Sequence, residues 1–375
     1  MNRETKRSRL RLWNVLCVLF VTMSSARAQT DDLKSDLDQL VRLGQEAPPA
    51  LLDSIRIRVE RDPAAATAAL LPRLADPDAD EPTLVTYVWV LGLAGDARSA
   101  DAIMKLAERT SSRIVKGNCL RALASIGGDK AGAFLLSRLR ETTEKNIRYG
   151  MLNLLAEMQY EPALPDTAEI LELDPAQFQY RSVLVYGKMG DKAVSFLLRR
   201  LADKNKIVRI NAINTLGQWL CPVAAFRPLQ DRFRVEKDAE VRGLILRSLQ
   251  RISPDLDTLR AFAQEVIAEE KDEAVLGVAR EVLANLAETR KSLDEFEKRK
   301  AVSPEAFQTE LSAMLRSAGL GGNYDALSTA STSDDENDLK RLRERILQRD
   351  SEAALADYQK VTDIIVLNRL MQTDH

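Results

Sequence analysis

The amino-acid sequence predicts an all-α protein, a right-handed α-solenoid of stacked helical hairpins. Three observations carry that expectation. Aromatic residues make up only 5% of the 375 residues, and no long stretch alternates apolar and polar residues with the period-two pattern of a strand. Gly- or Pro-marked turns recur along the chain, at Asp96, Asp129, Glu161, Asp191, Pro222 and Pro254, with steps of 33, 32, 30, 31 and 32 residues. A period near 30 is the length of one helix–turn–helix unit, and such a unit buries its apolar face only by stacking on its neighbours. A second set of anchors opens the other helix of each unit: Val115-Lys116, Ile147-Arg148, Tyr180-Arg181, Val208-Arg209 and Val241-Arg242.

Each turn leads into an apolar helix. Gly95-Asp96 precedes Ala102-Ile-Met-Lys-Leu106, Gly128-Asp129 precedes Phe134-Leu-Leu-Ser-Arg-Leu139, and Gly190-Asp191 precedes Phe196-Leu-Leu-Arg-Arg-Leu201. The second anchors head helices carrying Cys119, Leu120 and Leu123; Met151, Leu152 and Leu155; Leu184 and Val185; Ala212, Ile213 and Leu216; and Ile245, Leu246 and Leu249. On these grounds residues 64–288 form an array of about seven repeats. Residues 29–63 read as two capping helices broken at Pro48-Pro49, because a terminal repeat must cover an otherwise exposed apolar end. A helical extension follows over 289–318. Gly319-Leu-Gly-Gly322 and Ser328-Thr-Ala-Ser-Thr-Ser-Asp-Asp-Glu336 then make a flexible acidic linker over 319–336. The remaining residues, 337–375, form amphipathic helices whose last half is strongly apolar, from Val361 to Met371. Such a helix needs a surface to cover, either the open end of the array or a partner's groove.

The first 28 residues are expected to be a cleavable signal peptide. Arg3, Lys6, Arg7, Arg9 and Arg11 precede the short apolar run Val15-Leu-Cys-Val-Leu-Phe-Val21, and Ala26-Arg-Ala28 supplies a small-residue cleavage site. The run is about half of the roughly 20 apolar residues that a membrane span needs. Leu16 before Cys17 does not suit a lipoprotein signal, so ordinary export to the periplasm or beyond is expected, with no span left after cleavage. The leader holds six basic residues and one acid, so the net charge of −2 for the whole chain becomes −7 for the mature one. A mildly acidic chain argues against nucleic acid as a partner, since phosphate binding wants a basic face.

Asp203-Lys-Asn-Lys-Ile-Val-Arg-Ile-Asn-Ala-Ile-Asn-Thr-Leu-Gly217 resembles the HEAT repeat in its short bacterial, phycobilisome-lyase-like form: a turn acid, a Val-Arg pair, Ala, then Leu-Gly. The resemblance implies the solenoid, with the second helix of each hairpin lining the concave surface. It is nearly silent on function. Deoxyhypusine hydroxylase is an enzyme of this architecture that holds iron through His-Glu pairs, and this chain has no such pair. Export sits poorly with the other enzymatic relatives, the bilin lyases.

Two columns of side chains follow from the repeat. Counting the anchor Val as zero and turning about 100° per residue, position +1 falls inside the apolar arc. Lys116, Arg148, Arg181, Arg209 and Arg242 occupy it, so they are expected to form a structural basic ladder at the seam between hairpins. The acids available to pair with them are Glu144, Asp174, Asp203 and Asp238. Position +6 falls opposite the core and holds Arg121, Asn153, Tyr186, Asn214 and Arg247, the candidate binding face.

Catalytic groups are sparse. The single histidine is His375, which leaves nothing for a His-dependent triad or a poly-His metal site. No CxxC or Cys/His cluster suggests zinc, and no catalytic residue, cofactor or metal is expected. Cys119 and Cys221 should be free thiols, because three stacked hairpins separate them and a disulfide needs Cα atoms within about 7 Å. The expected function is a non-catalytic, exported scaffold of the bacterial cell envelope that binds another protein. The alternative is a carboxylate-dependent enzyme or enzyme subunit acting on envelope substrates, which needs two acids facing each other about 5–10 Å apart.

Overall fold

The computed structural model describes residues 33–43, 46–302, 342–343, 346–347 and 352–372. The leader, the part of the expected helical extension beyond 302, the segment expected to be a linker (319–336) and His375 lie outside those residues. The described residues are helices and turns, with no strand among them. Within them, no helix is long and apolar enough to cross a membrane.

The chain divides into two compact units, one ending at Tyr160 and the other beginning at Glu161. The first unit opens with α1 (residues 33–43) and α2 (Pro49–Arg61). Three hairpins follow. They pair α3 (Pro63–Leu70) with α4 (Glu81–Ala94), α5 (Ala100–Arg109) with α6 (Arg113–Ile126), and α7 (Gly128–Glu141) with α8 (Lys145–Glu157). The second unit continues the alternation. It pairs α9 (Leu164–Glu172) with α10 (Pro175–Met189), and α11 (Asp191–Arg200) with α12 (Lys206–Asn214), which runs on as a turn of π-helix, Thr215–Leu220. Then come α13 (Phe226–Val235) with α14 (Ala239–Ile252), and α15 (Leu256–Glu269) with α16 (Glu273–Val302). A last helix, α17 (Glu352–Gln372), belongs to the same unit. Helix α16 runs past position 288 without a break, and no Gly or Pro occurs in it after Gly277.

Local chemistry accounts for the helix boundaries. Asp80, Ser112, Asn205, Asp238 and Asp255 sit at N-caps, their side chains accepting from the backbone N–H groups of Thr83, Val115, Ile207, Val241 and Thr258. Each satisfies a donor that the first helical turn leaves without a partner. Pro49, Pro63 and Pro175 each open a helix, where a missing N–H costs nothing. Gly95 ends α4 in the left-handed conformation, at φ 62°, which only glycine adopts without strain.

In the first unit α1 and α2 close the apolar end of the stack. Leu33, Leu37 and Leu40 join Leu51, Ile55 and Val59 in one core with Tyr87, Val88, Val90 and Leu91 of α4. The aromatic-rich helix around Tyr87-Val-Trp-Val90 is therefore packing surface. Helices α4 and α6 approach closely because Gly92 faces Ala122; a Cβ at Gly92 would stand 3.1 Å from both Cα and Cβ of Ala122. Cys119 is wholly buried in this core, and Cys119 and Cys221 are both free thiols. Burial pushes the Cys119 thiol up to about 12. Maleimide at pH 8 is accordingly expected to leave Cys119 unmodified until urea unfolds the first unit; stoichiometric labelling of the native protein, read by mass spectrometry, contradicts this packing.

Candidate protein-binding face of the second unit

The second helices of the hairpins share a simple register. In α6, α8, α12 and α14 the third helical residue is the anchor of the repeat: Val115, Ile147, Val208 and Val241. In α10 the third residue is Gln177, three positions before Tyr180. The Tyr180-Arg181 pair is thus not the anchor it resembles. Spacing carried the signal: the second anchors step by 32, 33, 28 and 33 residues through Tyr180, but by 32, 30, 31 and 33 through Gln177.

That slip corrects two expectations. Tyr186 falls at +9, not +6, and is almost fully buried. Position +9 is where Gly92 and Gly217 meet the next hairpin, so it belongs to the core. Arg181 falls at +4, outside the +1 column, and is half-buried. The true +6 residue of α10 is Val183, which is completely buried.

The basic column is real at two places, and its partners differ from those expected. The Arg209 guanidinium donates to both carboxylate oxygens of Glu236, at 2.8 and 3.1 Å, and to the carbonyls of Asp203 and Lys204. Arg232 also donates to Glu236, and the same carboxylate accepts from the backbone N–H groups of Lys237 and Asp238. Glu236 is 6% exposed. Burial pushes its carboxyl upward, but bonds from Arg232, Arg209 and the Asp238 N–H outweigh that and hold it down at about 2. One repeat later Arg242 pairs with Glu270, whose carboxylate accepts from the Lys271 and Asp272 N–H groups. The Arg242 guanidinium also stacks on Phe233, 4.4 Å from the ring centroid.

The bracing acids therefore come from the turn of the following hairpin. Of the acids expected to brace, Asp238 is occupied as an N-cap and pairs with Lys206 at 2.7 Å, while Asp203 accepts from the Asn205 N–H. The bracing turn position holds Thr142 in the first unit, a neutral residue, and Lys116 stays in solvent. Arg148 is half-buried.

The +6 column splits between the units. In the first, Arg121 is exposed, 3.4 Å from Asn118, and Asn153 is half-exposed. In the second, Asn214 accepts from Gln218 at 3.1 Å, and Arg247 pairs with Glu281, the +6 residue of α16, at 3.0 Å. This side of the second unit carries a bound helix, its own α17. Ala354, Tyr358, Val361 and Ile365 pack with Val183, Leu184 and Trp219, together with Leu342, Ile346 and Leu347. Gly187, at +10, lets them approach: a Cβ there would stand 2.5 Å from Leu347 Cδ1. Arg251, also at +10, pairs with Asp363 at 2.6 Å.

The π-helical turn prepares this surface. Its wider winding lets Trp219 and Leu220 both lie buried, and Cys221 ends it at φ 47°, its N–H bonded back to the Leu216 carbonyl. The carbonyls of Leu220 and Cys221 are then left facing outward at a helix C-terminus, where cations are favoured. Arg343 donates to the first at 3.2 Å and Arg369 to the second at 3.4 Å. Arg369 also reaches the Arg251 carbonyl. Sequence reasoning singled out the C-terminal helix and offered the array's open end or a partner's groove as its resting place. It lies on α10 and the π turn, reaching the end of α14, where an apolar strip, the Arg251 cation and the Leu220 and Cys221 carbonyls coincide.

Among the described residues, no group of three or more His, Cys, Asp or Glu is placed to hold a metal ion.

The HEAT-repeat family model matches residues 67–156 and 164–250. No curated protein matches the chain. Among solved structures, human deoxyhypusine hydroxylase in complex with glycerol is similar at 16% identity and a TM-score of 0.30, over 70% of this chain and 98% of that one. The CpcE–CpcF complex of phycocyanin lyase from Nostoc sp. PCC7120 is similar at 14% identity and a TM-score of 0.28, over 67% and 94% of the two chains. A computationally designed self-assembling cyclic homo-oligomer is similar at 13% identity and a TM-score of 0.15, over 72% and 95%. At these values the likenesses carry no argument about what this chain does.

Proposed function

We propose that this helical-repeat chain is a non-catalytic scaffold that binds another protein through the +6 and +10 positions of its second helices, and that it works outside the cytoplasm after loss of residues 1–28. One observation carries the reading: this side of the second unit already accommodates an amphipathic helix, α17, through an apolar strip, an ion pair and carbonyl acceptors. Grooves that take amphipathic helices are a recurrent mode of protein recognition. The charged leader with its short apolar run and Ala-x-Ala end supports the export half.

Photocrosslinking in the native host tests both parts. A photoreactive residue at Asn214 or Arg247 is expected to give one discrete adduct with a second protein. The same residue at Arg227, on the first helix α13, is expected to give none. Recovered protein should begin at Gln29. Adducts that are equal at all three positions, or a retained Met1, overturn the corresponding half.

A further inference from the structure

We infer that residues 342–372 are an internal competitor, and that the ligand they exclude is an amphipathic helix of a partner protein with the same recognition pattern. The inference rests on the scaffold reading and goes further, by naming the partner's chemistry and its regulation. The pattern is visible in the occupant. Ala354, Tyr358, Val361 and Ile365 follow helical spacing and form one apolar stripe. Asp363 flanks the stripe and meets Arg251; Arg369, near the helix end, meets the carbonyls of Cys221 and Arg251. A partner helix would need the same stripe, an acid beside it and a guanidinium at its C-terminal end.

The position of α17 separates a competitor from a structural cap. A cap would cover the last hairpin, α15 and α16. This helix instead covers Val183, Gly187, Trp219 and Arg251, which belong to the three preceding hairpins and include the +6 and +10 positions. Residues 303–341 join it to α16, so its occupancy is intramolecular. At an effective concentration of roughly millimolar, an internal competitor whose own affinity in trans is about 10 μM imposes about a 100-fold handicap on an incoming helix.

The test uses the full mature chain and a fluorescent peptide of residues 337–375 as the probe. Val361, completely buried against the second unit, is replaced in Val361→Asp to dislodge the segment. The peptide is expected to bind this variant about 100-fold more tightly than the unaltered chain. Trp219→Ala added to it should abolish that binding. Cys221, 7% exposed, should alkylate at least about 10-fold faster in Val361→Asp, and excess peptide should restore its protection. A doubly substituted Arg343→Ala, Arg369→Ala chain should bind the peptide as well, which keeps the test decisive if the aspartate costs the second unit its helicity. Equal binding by the altered and unaltered chains, or no binding by either variant, overturns the inference. So does a concentration-dependent dimer of the unaltered chain in which a second copy's segment fills the site. Peptide binding as expected with no partner adduct in cells overturns the scaffold reading alone.

Discussion

Replacing Glu236 with alanine is expected to lower the unfolding free energy by about 3–5 kcal/mol, the usual cost of breaking a buried ion pair from one side. Glu236 accepts from Arg209, Arg232 and two backbone N–H groups, and Arg209 is itself 8% exposed. Removing the carboxylate leaves the Arg209 guanidinium with the carbonyls of Asp203 and Lys204 and takes the same partner from Arg232. The urea midpoint should therefore fall well below that of Lys206→Ala, whose ion pairs with Asp238 and Glu240 are in solvent and contribute little. Arg209→Met combined with Glu236→Ala should recover part of the loss, because it removes the more deeply buried of the two guanidinium groups that the carboxylate held; Arg232, 19% exposed, remains. The pH dependence has a definite sign. The carboxyl is held at about 2 in the folded chain, below its ordinary 4.5. Its contribution is complete above about pH 4.5 and is lost as the pH falls from there towards 2. The gap between the unaltered chain and Glu236→Ala should accordingly narrow between pH 5 and pH 2.5. A constant gap across that range contradicts the assignment.

Gly217→Ala is expected to cost about 1–3 kcal/mol, the range for forcing atoms into a packed contact. A Cβ at Gly217 would stand 2.3 Å from both Cβ and Oγ of Ser248 and 2.9 Å from its Cα. The last of these is backbone, so rotation of a side chain does not relieve it, and the π turn must move away from α14. Trp219 and Cys221 are carried on that turn, so the substitution should also loosen α17 and speed alkylation of Cys221. Ser248→Gly in the same chain removes the two shortest contacts and should restore most of both. For a unit of this size a loss of 1 kcal/mol lowers the melting temperature by about 2–4 °C, which calorimetry resolves. An unchanged melting temperature in Gly217→Ala contradicts the close approach of Gly217 to Ser248.

Much of the architecture was legible in the residues. Capping residues such as Ser112, Asn205 and Asp238, the glycine at the end of α4 and apolar positions spaced three and four apart are local signals, and they mark helix after helix. The same reasoning placed Arg209 and Arg242 inside the seam. It misplaced Tyr186 because Tyr180-Arg181 imitates an anchor. The uneven step of 28 residues was the one sign that α10 starts three residues earlier, at Pro175. The bracing acids were missed for a different reason. A helix wheel shows which way Arg209 points, but not that the turn of the next hairpin brings Glu236, 27 residues on, against it.

By itself, then, the sequence determined the helical hairpins, their period and the need of the apolar C-terminal helix for a surface, because each depends on residues within one or two turns of each other. Only the tertiary structure decided which surface that is. The choice rests on matches between positions far apart in the chain: Arg251 with Asp363, 112 residues away, and Arg369 with the Cys221 carbonyl, 148 away. It rests as well on a π-helical turn that no pattern of apolar residues announces. Periodicity reports how a segment meets its immediate neighbours, whereas complementarity between distant segments exists only once both have folded.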